Sequence, residues 1–68
     1  MQIQGRELDM ETCYLSPVTY VPNHADGNAS HPDCERGVIV RLGVDVVFVL
    51  NCKTRTVQGT DPNDLVWG

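Results

Sequence analysis

Two β-branched runs dominate the apolar pattern of the chain. In "GVIVRLGVDVVFVLN", Gly37 to Asn51, apolar residues recur at every second position on either side of Gly43. Val38, Val40 and Leu42 alternate with Ile39 and Arg41; Val46, Phe48 and Leu50 alternate with Val47, Val49 and Asn51. A period of two around a glycine-containing turn predicts a β-hairpin. The wholly apolar set, with Val38, Val40, Phe48 and Leu50, is assigned to the core. The other set, with Ile39, Val47 and Val49, is more apolar than a solvated sheet face requires. A cover is expected for it, either the N-terminal arm or a partner subunit.

The flanking segments are shorter. "PVTYV" favours a strand in which Val18 and Tyr20 share a face, and Pro22 ends it. From Asn23 to Asp33 the chain is turn chemistry, with Asp26, Gly27, Asn28, Ser30 and Pro32, and predicts a long loop. "KTRTVQG" reads as a strand centred on Thr54 to Val57. Asp61-Pro62-Asn63-Asp64 predicts a tight or 3₁₀ turn, and Leu65-Val66-Trp67 a short last strand. Residues 1–14 carry a weak helical signal over Arg6 to Cys13 and read equally as an extended arm.

Strand, long loop, hairpin, strand, tight turn and short strand is the order of a small five-stranded SH3-like barrel, mainly β. The expected organisation is an N-terminal arm or short helix, 1–14, followed by a β-barrel domain, 15–68. The alternative is an open antiparallel sheet with a helix from 6–14 on one face. Val18, Tyr20 and Trp67 join the expected core.

At 68 residues the chain is one small domain with little room for an enclosed substrate pocket. An apolar fraction of 41% is ordinary for a folded protein. No run approaches the roughly 18 apolar residues of a membrane span, and no signal-peptide pattern opens the chain. Three irregularly spaced cysteines argue against a disulfide framework and for a reducing cytosol.

The net charge of −4 disfavours general binding to a phosphate backbone. The charges are segregated, however. Glu7 to Glu35 holds six acids and neither Lys nor Arg; Arg36 to Gly59 holds four bases and one acid. Such polarity suits recognition of a charged partner.

"HADGNASHPDC", His24 to Cys34, holds both histidines, and three chemistries compete for it. His31-x-x-Cys34 has a spacing that can chelate zinc, with His24 nearby and Cys13, Cys52, Asp33 or Asp26 as a fourth ligand. A Cys–His pair can activate a thiolate, but a chain this small offers no oxyanion hole or cleft, so no enzyme activity is expected. In the third, the histidines only fix the loop and Cys34 is a small buried hydrophobe.

"PVTYVP", "HADGN", "HPDCERGVIV", "VVFVLN" and "DPNDLVW", in this order over residues 17–67, resemble a group of short proteins encoded by tailed phages and prophages. The arm lies outside that resemblance, and Asn51-Cys52-Lys53 departs from it. It implies a bacterial cytosolic location, a phage origin and an accessory role, and it supplies no reaction.

The expected function is non-enzymatic protein binding, such as inhibition of a host factor, without a cofactor. The expected contact residues are His24, Asp26, His31, Asp33 and Glu35 in the loop. On the hairpin and beyond they are Arg36, Ile39, Arg41, Val47, Val49, Lys53 and Arg55. The alternatives are nucleic-acid binding through the basic patch, homodimerisation through Ile39, Val47 and Val49, and a zinc-stabilised domain with His24, His31 and Cys34.

Overall fold

The computed structural model describes residues 1–25, 27–28 and 30–68. The chain is mainly β. Strands β1 (Gln2–Ile3) and β2 (Arg6–Glu7) form a hairpin, and helix α1 (Met10–Cys13) follows. Next come β3 (Pro17–Tyr20), a 3₁₀ turn (Asn23–Ala25), β4 (Glu35–Leu42), β5 (Val47–Asn51), β6 (Val57–Thr60), a 3₁₀ turn (Pro62–Asp64) and β7 (Leu65–Trp67). The larger sheet has five antiparallel strands in the order β6-β5-β4-β3-β7.

The arm is a covering layer. Gln4 and Gly5, both with positive φ, make the tight turn between β1 and β2, a conformation that matches the twist of paired strands. Asp9 caps the start of α1 by accepting the Glu11 amide at 3.0 Å, and the chain leaves the helix at Tyr14, so the helical signal over Arg6 to Cys13 yields one turn preceded by a strand. Ile3 and Cys13 are fully buried, and Met1, Leu8 and Met10 pack against the same core. The Met1 ammonium donates to Glu7 Oε1 at 2.9 Å; that hydrogen bond and its charge hold the Glu7 carboxyl below the ordinary carboxylate range. Trp67 ties the arm to the last strand. Its Nε1 donates to Ile3 O and its amide to Gln4 Oε1, both at 2.9 Å, and the Arg6 guanidinium stacks 4.5 Å from its ring centre.

The hairpin buries the opposite face from the one expected. Ile39, Val47 and Val49 are core residues, packed with Val18 and Leu65 beneath Ile3 and Cys13. Val38, Val40, Phe48 and Leu50 are only half-buried. Both alternating sets are apolar, so period two does not choose between them; the arm does, by covering the Ile39 side. A bulge at Val40 reinforces the choice. Ile39 pairs with Val49, but the next partner of Phe48 is Arg41, so side-chain parity shifts across Val40. The shift turns Arg41 outward and lets Leu42 pack on the core. Val18, Tyr20 and Trp67 lie on the core face as expected.

Gly37 sits where β5 leaves no room for a side chain on β4: a Cβ there would stand 2.4 Å from Val49 Cγ1 and 2.5 Å from Leu50 O. Asn51, buried at the end of β5, organises the following turn. Its Oδ1 accepts the amides of Lys53 at 2.8 Å and Thr54 at 3.1 Å, and its Nδ2 donates to Glu35 Oε1 at 3.0 Å. This turn holds Lys53 and Arg55, so the fourth strand of the sheet begins at Val57, later than the sequence pattern places it.

Candidate functional site

Two separate surfaces collect the chemistry-bearing residues: the loop from Val21 to Cys34 and the outer face of the sheet.

The loop is a succession of hydrogen bonds, each starting where the previous one ends. Ala25 N–H donates to Pro22 O at 2.9 Å; Asn28, His31 and Cys34 donate in turn to Ala25, Asn28 and His31, each at 3.0 Å. In the last of these turns Pro32 supplies a preset φ, which places His31 and Asp33 two residues apart around a tight bend. Asn28 Oδ1 accepts the Ser30 amide at 3.0 Å, and at the start of the loop Val21 N–H donates a hydrogen bond to Asp64 O at 2.8 Å.

This folding brings His24, His31 and Asp33 together. His24 Nε2 lies 2.6 Å from Asp33 Oδ2, Asp33 N–H donates to His31 Nδ1 at 3.1 Å, and the two imidazoles meet edge to face with centres 5.4 Å apart. Both members of the His24–Asp33 pair are 61% exposed. One ligand atom from each of the three residues lies within 4.8 Å of the others.

Cys34 is not part of that set. Its Sγ donates to Asn28 O at 3.3 Å, which fixes the loop. The spacing His31-x-x-Cys34 therefore does not predict the actual neighbours; Asp33 takes the place proposed for Cys34. Cys13 is sealed in the core and Cys52 is exposed in the β5–β6 turn, so neither completes a ligand set with the histidines. Among the described residues no cysteine thiol hydrogen-bonds a histidine ring; Cys34 meets His31 only through its backbone amide. Asp26 lies outside the described residues. Glu35 is outside the histidine group and accepts a hydrogen bond from Asn51 Nδ2.

The basic residues of the second half of the chain divide among three places. Arg36 and Lys53 line one open groove with Asp33, Glu35 and the two thiols Cys34 and Cys52. Arg55 stands in the exposed turn with positive φ. Arg41 belongs to the outer face of the sheet, 5.7 Å from the Phe48 ring centre.

Register fixes the rest of that face. Pro17 pairs with Val38, Val38 with Leu50, and Leu50 with Val57, an apolar row across four strands. Beside it Arg41 pairs with Phe48 and Phe48 with Gly59, while Thr19 pairs with Arg36 and Val66. No paired residue of this face is a carboxylate. Pro17 and Val57 are exposed, Val38, Phe48 and Leu50 half-buried. Ile39, Val47 and Val49, expected here as contact residues or as a dimer face, lie underneath in the core, covered by the arm. Sequence patterning missed Val38, Phe48 and Leu50 as surface-facing residues; Arg41 pointed to the other side, because without the bulge at Val40 it shares a face with Ile39.

Comparison with protein-family models, with curated proteins and with solved structures finds no match. Among the described residues no helix is long and apolar enough to cross a membrane.

Proposed function

We propose that the chain is a non-enzymatic binding module that engages a protein partner through the outer face of its sheet. The row Pro17–Val38–Leu50–Val57, with Arg41 laid over Phe48, carries this conclusion. An apolar strip bordered by guanidinium groups is the composition of an interface centre, where aromatic and Arg side chains supply most of the affinity. Arg36 and Arg41 make no ion pair among the described residues. The complementary surface is therefore an apolar patch bordered by Asp and Glu.

An SH3-like barrel is the fold this module is assigned to. The order β6-β5-β4-β3-β7, the long loop after β3 and the 3₁₀ turn before β7 support it. The resemblance over residues 17–67 supports a phage or prophage origin, an accessory role and action in the bacterial cytosol on a host or phage protein.

Nucleic-acid binding is the second reading, because Phe48 shares a face with Arg41 and offers a base-stacking platform. The net charge of −4 weighs against it.

A photo-crosslinking residue in place of Phe48 tests the proposal in bacterial lysate. The expected product is one protein crosslinked through an apolar segment flanked by carboxylates, lost in Leu50→Glu and Arg41→Glu variants that keep their thermal stability. Crosslinking to a second copy of the chain, or to a nucleic-acid probe in a salt-sensitive manner, overturns it. So does capture that survives both substitutions.

A further inference from the structure

We propose that His24, His31 and Asp33 form a three-ligand site for a borderline divalent transition metal, Zn(II) above all, with its fourth coordination position open. The donor chemistry chooses the metal. Two imidazoles and one carboxylate suit Zn(II), Co(II) or Ni(II), whereas Ca(II) and Mg(II) require a mainly oxygen shell.

The distances fit after small shifts. Bonds of about 2.0–2.2 Å to a tetrahedral zinc place its ligand atoms roughly 3.4 Å apart. His24 Nε2 and Asp33 Oδ2 are 2.6 Å apart and the whole set lies within 4.8 Å, so the metal parts the first pair and draws in the remaining nitrogen. The ion replaces the hydrogen bond between His24 and Asp33 with two coordinate bonds and releases any proton held there. His24 and Asp33, nine positions apart, are already in contact before any ion arrives.

The consequence is a staple across the longest loop of a domain with a small core. Three protein ligands leave one position to water or to a donor from outside the chain, as in open zinc sites. The site does not involve the outer face of the sheet, so it stands or falls separately from the partner proposal.

Tag-free protein kept reduced is titrated with zinc chloride by calorimetry and with Co(II) by visible absorption. One equivalent binds. The melting temperature rises on the order of 10 °C when free zinc is about a hundredfold above Kd. The Co(II) spectrum lacks thiolate charge-transfer bands. His24→Gln, His31→Gln and Asp33→Asn each weaken binding at least about tenfold, more than the loss of an outer-shell partner at the low end of its range. All three positions are surface loop sites, and metal-free melting within a few degrees of the wild type shows that the variants are folded. Cys34→Ser leaves Kd unchanged. The proposal is overturned by a Kd weaker than about 1 mM, by binding that persists in the His24→Gln/His31→Gln double variant, or by binding that disappears in Cys34→Ser.

Discussion

Gly37→Ala puts the geometry of the central strand pair under direct test. The added methyl would stand 2.4 Å from Val49 Cγ1, 2.5 Å from Leu50 O and 3.2 Å from Leu50 C. Non-bonded carbons prefer roughly 3.5–4.0 Å, so the contact with Val49 Cγ1 falls more than 1 Å short, and the carbonyl oxygen of Leu50 is overlapped as well. Val49 can turn only against the buried residues around it. Leu50 O belongs to the backbone that pairs β5 with β4, and its retreat strains the ladder next to the Gly37–Asn51 pair. Overpacking of this kind costs about 1–3 kcal/mol, against which the smaller entropy of the unfolded alanine chain returns about 0.4–1 kcal/mol. With a backbone atom involved, the upper part of that range applies, a net loss of about 2 kcal/mol. For a domain of this size that lowers the melting temperature on the order of 10 °C. Thermal and urea unfolding followed by circular dichroism give the difference. The double variant Gly37→Ala/Val49→Ala is expected to show coupling, since truncating Val49 removes the closest clash and leaves the carbonyl one. A Gly37→Ala protein as stable as the wild type refutes the close approach of β4 to β5.

Two further outcomes follow from side chains the fold uses in specific ways. Asn51→Ala strands the Lys53 and Thr54 amides and the Glu35 carboxylate, and should cost about 2–3 kcal/mol in urea unfolding, with faster hydrogen exchange confined to the β5–β6 turn. Thiol titration of the native protein should modify the exposed Cys52 rapidly and the buried Cys13 only at the rate of unfolding; equal rates for the two would contradict the placement of α1 against the core.

Particular residues show what was legible in the sequence. Strand order, the long loop and the 3₁₀ turn at Pro62 follow from β-branched runs and turn chemistry, which act locally. The core face of the hairpin does not, because Val38, Phe48 and Leu50 are as apolar as Ile39, Val47 and Val49. The choice rests on residues more than 25 positions away, Ile3, Leu8, Met10 and Cys13, whose spacing in a hairpin and one helical turn carries no clear period. The bulge at Val40 has no glycine or proline to announce it. In the loop, the His31-x-x-Cys34 spacing pointed to the wrong neighbour: His31 and Cys34 share a turn, yet it is Asp33 that meets His24, while the Cys34 thiol bonds to a backbone carbonyl. Asn51 reads as an ordinary polar strand end until its three hydrogen bonds are seen.

Which face of the sheet is core and which is contact surface is the claim on which the partner proposal rests, and one pair of near-isosteric substitutions addresses it. Val47 is fully buried and Val57 is 55% exposed on the opposite face. Val47→Thr places a hydroxyl among apolar neighbours and should cost about 1–3 kcal/mol. Val57→Thr should stay within about 0.5 kcal/mol of the wild type. The reverse order in side-by-side urea unfolding would mean that Ile39, Val47 and Val49 face outward, and would leave the apolar row and its arginine rim with no surface to occupy.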